Sequence, residues 1–143
     1  MKSVVKLDIN APQARVAELF SDPQNLEKWM DDMEYVPISG VQGEPGSSYK
    51  LAQKQGMPFI ATVLAKNLPT EMRLRLDVPS LEIAIRDQFV ALPSGRTKLI
   101  STEDFRWKTT LDRLKGFFAR RAMKKAHRRH MVAFKRFAED RSF

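Results

Sequence analysis

The sequence predicts an α+β fold: a curved, seven-stranded antiparallel sheet lying against one long C-terminal helix, with two short helices after the first strand. Three observations predict it. A proline-free stretch from Thr109 to Asp140 repeats its apolar residues at helical spacing. Six short alternating runs, separated by turn residues, fill the middle of the chain. One more alternating run at the N-terminus is followed by two brief helical patterns.

In chain order, Val4, Lys6, Asp8 and Asn10 alternate with Val5, Leu7 and Ile9, which makes a strand with one buried face. Asn10-Ala11-Pro12 ends it. Proline is tolerated in a helix's first turn, so Pro12 to Phe20 reads as a short amphipathic helix burying Val16, Leu19 and Phe20. Ser21-Asp22-Pro23 stops that helix, and Asp22 can cap a second from Pro23 to about Met30, with Leu26, Trp29 and Met30 on one face. The runs that follow are about Tyr35 to Gln42, Ser48 to Lys54, Pro58 to Lys66, Glu71 to Val78, Glu82 to Leu92 and Thr97 to Trp107. Short links such as Glu44-Pro45-Gly46-Ser47, Gln55-Gly56 and Pro93-Ser94-Gly95 carry turn chemistry, so consecutive strands form an antiparallel meander.

Alternation also assigns faces. Met72, Leu74, Leu76 and Val78 lie opposite Arg73, Arg75 and Asp77. In the next two runs, Ile83, Ile85 and Phe89 bring Asp87 to their own side, and Leu99, Phe105 and Trp107 bring Ser101 and Glu103 to theirs. Two inward carboxylates are costly unless paired or hydrogen-bonded. Either they form the polar end of a cavity, with Arg129 or Lys115 as partners, or bulges shift the register and put both acids in water.

In the final helix, Leu111, Leu114, Phe118, Ala122, Ala126, Ala133 and Phe137 fall on one side, with Ala119 and His130 at its edge, and this side is expected to be buried. Thr109 or Thr110 can serve as N-cap, with Asp112 in the first turn. Gly116 costs about 1 kcal/mol relative to alanine there and marks a bend or a close contact. The alanines either leave a cavity beneath the helix or permit close packing on the sheet.

The 143 residues suit one domain, 1–143, able to bury about two-thirds of the surface its unfolded form exposes. The chain has no cysteine, which excludes disulfides, thiolate zinc sites and cysteine nucleophiles. MKSVVKLDIN alternates and does not read as a signal peptide, and no apolar stretch approaches a membrane span, so a cytoplasmic protein is expected. The net charge of +8 is uneven: residues 106–143 hold 13 Lys/Arg against 3 Asp/Glu, and residues 1–105 hold 12 against 14. Arg113, Arg120, Arg121, Lys124, His127, Arg128 and Lys135 take the faces away from the apolar side. They make either a solvated surface or an attraction for anionic lipid, nucleic acid or an acidic protein.

A search for chemistry finds little. His127 and His130 have no third ligand nearby, so no metal is expected. Gly40-Val41-Gln42-Gly43 precedes a strand and lacks the context of a phosphate loop; neither G-x-S-x-G nor H-E-x-x-H occurs, and no cofactor is called for. Binding nucleic acid by stacking needs exposed aromatics among the basic residues. Phe117 and Phe134 read instead as the rim of the buried stripe, which disfavours nucleic acid.

Ile9-Asn10-Ala11-Pro12, then Val16, Leu19-Phe20, Asp22-Pro23, Leu26, Trp29 and Pro45-Gly46-Ser47-Ser48-Tyr49, resemble the N-terminal signature of the polyketide cyclase/START/Bet v 1-like (SRPBCC) superfamily. The resemblance implies the helix-grip fold and a cavity between sheet and helix, used by different members for lipids, isoprenoids, polyketides or plant hormones. Some members are cyclases or dehydratases. Residues expected to line the cavity are Phe20, Trp29, Leu74, Leu76, Ile85, Phe89, Phe105, Phe118, Ala122 and Ala126. The superfamily shares no catalytic residue, so Asp87 or Glu103 as base, with Arg129 stabilising negative charge, rests on the face assignment alone. The expected partner is a small hydrophobic ligand; a pocket below about 150 Å³ would argue against it, because ligand sites generally begin near 300 Å³. An anionic membrane surface or an acidic protein is the alternative partner, and the oligomeric state is left open.

Overall fold

The computed structural model describes residues 1–53 and 56–140. The elements run β1 (Lys2–Ile9), α1 (Gln13–Ser21), a 3₁₀ turn (Pro23–Asn25), α2 (Leu26–Trp29), β2 (Met33–Ser39), β3 (Ser48–Gln53), β4 (Phe59–Asn67), β5 (Glu71–Val78), β6 (Leu81–Leu92), a 3₁₀ turn (Pro93–Gly95), β7 (Arg96–Trp107) and α3 (Thr110–Glu139). Each predicted element is present. The second helix is shorter than expected, because Pro23–Asn25 forms a 3₁₀ turn, and β2 begins at Met33 and ends at Ser39, before the turn at Gly40. The reading of Lys54 as strand and Gln55 as turn falls outside the described residues.

The sheet order is β1-β7-β6-β5-β4-β3-β2, and every pairing is antiparallel. Strands β2 to β7 meander, and β1 joins beside β7. Gly40, at φ +78, turns the chain after β2; a side chain there would strike the Ser47 backbone. The bulges fall between Pro37 and Ser39 of β2 and between Val63 and Ala65 of β4. The ladders β5·β6 and β6·β7 run without a shift. The alternative in which bulges shift the register and put Asp87 and Glu103 in water is therefore corrected: with the pleat intact, both keep the inner face.

Local chemistry sets the helix starts. The Asp22 side chain accepts from Gln24 N at 3.0 Å, and the Thr109 side chain accepts from Asp112 N at 3.0 Å. The core gathers where α1, α2 and the second half of α3 meet the sheet. Phe134, fully buried, packs edge-on to Phe20 at 4.9 Å and Trp29 at 5.3 Å, and Phe20 meets Phe89 at 5.5 Å.

The orientation of α3 differs from the expected one. Its buried residues are Gly116, His127, Met131, Phe134 and Ala138, so the inward side lies about 150° round from the predicted stripe. Leu111, Leu114, Phe118 and Ala122 face solvent, and Ala133 and Phe137 are half-buried. Phe134, expected at the rim, is core, while Phe117 is exposed. The physical reason is that the first half of the helix touches the protein mainly at Gly116, beneath which the Trp107 indole lies flush. Burial of the second half, with its two large side chains Met131 and Phe134, sets the rotation.

A Cβ at Gly116 would overlap the Trp107 ring. Gly116→Ala should gain up to about 1 kcal/mol in helix propensity yet lose more by displacing the indole, for a net cost of about 1–2 kcal/mol. A thermal melt and the emission of Trp107 check this: a lower melting point with a red shift is expected, and unchanged stability would mean that the ring yields freely.

Candidate functional site

Sheet, α2 and α3 enclose a cavity of about 250 Å³. This clears the volume set as the minimum and falls just below the usual span of small-molecule sites, roughly 300–1,000 Å³, so it suits a compact guest. Its wall is built by pleat alternation: Tyr49 and Leu51 from β3, Val63 from β4, Met72, Leu74 and Leu76 from β5, and Leu81, Ile83 and Ile85 from β6. Phe20, Trp29 and Met30 close one end, and Met123, Ala126, His127, His130 and Met131 of α3 form the roof.

Of the residues expected to line it, Phe20, Trp29, Leu74, Leu76, Ile85, Phe105 and Ala126 do. Phe89 is core and packs on Phe20 without reaching the cavity; Phe118 and Ala122 are on the outer side of α3. Arg129 is exposed, as is Lys115, so neither pairs with the carboxyls. The notion that Arg129 stabilises negative charge in the site is corrected by the same rotation of α3. Met72 was legible in the alternation of β5, whereas His127 was assigned outward and is fully buried.

The polar end of the cavity is a set of groups on β1, β7, β6 and α3. Register places Ser3 beside Glu103, and Ser101 beside Asp87. His127 bridges the strands, with Nδ1 2.8 Å from Ser3 Oγ and Nε2 2.8 Å from Ser101 Oγ; Glu103 Oε2 lies 3.7 Å from Nε2. One assignment uses each proton once. Ser3 O–H donates to Nδ1, Nε2–H donates to Ser101 Oγ, and the Ser101 proton goes to Asp87. Asp87 Oδ1 and Trp29 Nε1 are left buried with no partner among the described residues, an acceptor and a donor on residues that both line the cavity.

Burial governs the protonation of this cluster. It pushes the Asp87 carboxyl up to about 7, against a smaller opposing effect of the Ser101 hydrogen bond. It pushes Glu103 up to about 8, with the nearby Asp87 adding to the rise. His127 is driven down to about 4 by burial and by His130, so the imidazole is neutral at neutral pH and its approach to Glu103 is not an ion pair. His130 is lowered for the same first reason. Among the described residues no Lys or Arg lines the cavity. Among the described residues no group of three or more His, Asp or Glu is arranged to hold a metal, and no helix is long and apolar enough to cross a membrane.

A seven-stranded sheet closed by a C-terminal helix over a mainly apolar cavity defines a START/Bet v 1-like helix-grip domain. The chain belongs to the family described as polyketide cyclase / dehydrase and lipid transport, whose model matches residues 1–139. Among solved structures it is similar to truncated norcoclaurine synthase from Thalictrum flavum (TM-score 0.77, 9% identity, 99% of this chain and 96% of that one). It is also similar to a START superfamily protein from Mycobacterium smegmatis (0.73, 15%, 96% and 97%) and to protein MLL2253 from Mesorhizobium loti (0.75, 15%, 100% and 99%). At such identities the likeness is one of fold. No curated protein matches the sequence.

Proposed function

We propose that the protein binds and carries a compact, mainly apolar molecule bearing a hydrogen-bond donor at one end, of the lipid, isoprenoid or polyketide-like class. The observation that carries this reading is the pair of orphaned atoms, Asp87 Oδ1 and Trp29 Nε1, in a mainly apolar cavity. A buried polar atom without a partner costs about 1–3 kcal/mol, which a ligand hydroxyl or N–H facing Asp87, and a ligand acceptor facing Trp29, would recover. Carboxylate and phosphate head groups are poor guests, since they would meet Asp87 and Glu103 with no Lys or Arg among the described lining residues to offset them.

The test uses the neutral fluorophore N-phenyl-1-naphthylamine, an apolar body with one N–H. Saturable binding is expected. Ala126→Phe, which projects a ring into the cavity, should weaken it at least tenfold, a loss of about 1.4 kcal/mol, while the fold persists. Absence of saturable binding, or an Ala126→Phe variant that binds as the parent does, overturns the reading. Native mass spectrometry of protein purified from its own host would then identify the natural guest.

The carboxyls favour a second reading, a cyclase or dehydratase. A base held near 7 by burial is matched to proton transfer at neutral pH, with Asp87 accepting a proton and protonated Glu103 returning one. If this holds, Asp87→Asn binds the natural guest but leaves it chemically unchanged; if parent protein also leaves it unchanged, the reading fails.

A further inference from the structure

The apolar stripe on the first half of α3 is real, but it points away from the protein. Leu111, Leu114 and Phe118 are 61%, 55% and 76% exposed, and with Ala122 they recur at i, i+3, i+7 and i+11 on the side opposite Gly116 and His127. Phe117, half-exposed at 56%, meets Phe118 edge-on at 5.6 Å and carries the Arg120 guanidinium 4.0 Å above its ring. Scattered exposed apolar side chains need no explanation, whereas a contiguous helical stripe does.

Charge says what covers it. Lys115 flanks the stripe on one edge and Arg121 on the other, and Lys125 and Arg129 continue its line toward the C-terminus. Between Lys108 and Arg129 the chain holds nine Lys/Arg and one acid, Asp112. None of the exposed cations in this segment is ion-paired among the described residues. A second copy docked on this face would bring one cationic rim against another. An apolar stripe bordered by cations suits an interface that is greasy within and anionic at its surface, and long Lys and Arg side chains can reach back to head groups while leucine and phenylalanine enter.

We propose that the first half of α3 docks in the surface of an anionic lipid bilayer, with Leu111, Leu114 and Phe118 inserted and the flanking Lys and Arg on the head groups. The same helix supplies Met123 and Ala126 to the cavity roof one turn further on, so docking brings lipid to the element that covers the cavity. The inference does not depend on the cavity holding a ligand.

Co-flotation of the full chain with vesicles tests it. Binding is expected to phosphatidylcholine vesicles containing phosphatidylglycerol and not to phosphatidylcholine alone. It should weaken as salt shortens the Debye length from about 10 Å at 0.1 M toward 3 Å at 1 M. The double variant Leu114→Ser/Phe118→Ser should lose at least tenfold in affinity with an unchanged melting curve, because both side chains are exposed in the free protein. Lys115→Glu/Lys125→Glu should weaken binding most at low salt. Three results overturn the proposal: no binding to anionic vesicles at low salt; a Ser double variant that binds as the parent does; or binding to poly-glutamate as tight as to vesicles, which would make the face one for acidic protein. Concentration-dependent dimerisation abolished by the Ser double variant, with no vesicle binding, would assign the stripe to a second copy and overturn it likewise.

Discussion

Asp87→Asn should leave the protein less stable than its parent below about pH 4.5 and more stable above about pH 6. The sign follows from linkage. A carboxyl raised to about 7 on folding binds a proton in the folded state that the unfolded chain, titrating near 3.8, has already released. Its contribution is complete below the unfolded value and is lost as pH rises through the folded one, on the order of 4 kcal/mol for Asp87. Glu103, at about 8, acts in the same direction, and the two are coupled by proximity, so their effects do not simply add. His127 acts oppositely: held down to about 4, it adds stability as pH rises from there to its unfolded value near 6.5. Between these limits the histidine offsets much of the carboxyl effect, and the parent's steepest loss falls between about pH 6.5 and 8. Asparagine removes the titration but leaves a buried amide N–H₂ poorly paired, costing about 1–3 kcal/mol at low pH, which produces the crossing. Thermal melts of both proteins from about pH 4 to about pH 8 check it. Parallel profiles would mean that Asp87 does not titrate in this range.

Phe134→Ala should cost about 3–5 kcal/mol, whereas Phe118→Ala, sixteen residues earlier on the same helix, should stay within about 0.5 kcal/mol. Phe134 is 0% exposed between Phe20 and Trp29, so its loss leaves a cavity in the aromatic cluster that seats α3 on the sheet. Phe118 is 76% exposed, and its ring loses little on truncation. Urea unfolding of the two variants separates the rotations of α3: a larger cost at Phe118 would put the inward side where helical periodicity alone predicts it.

That helix marks the boundary between what could be read and what could not. Proline positions, Asp22 and Thr109 as caps, the alternation of β5 and the turn chemistry between strands are local signals. They place every element to within a few residues. The cavity wall on the sheet was legible for the same reason, because the period of two puts Leu74, Leu76, Ile85 and Phe105 on one face once the register is unbroken. Even the inward carboxyls were visible as exceptions to alternation.

The sequence by itself determined the order of elements, the faces of the strands and the existence of an apolar stripe on α3. Only the tertiary structure decided which side of α3 turns inward. A helix with Leu111, Leu114 and Phe118 on one flank and Met123, Met131 and Phe134 on another carries two apolar sides, and periodicity counts them alike. The choice is made by contact: Gly116 admits the Trp107 ring, His127 meets two serine hydroxyls on separate strands, and Phe134 fills the space beside Phe20 and Trp29. Those partners lie up to 124 residues away in the chain, beyond the reach of any local pattern.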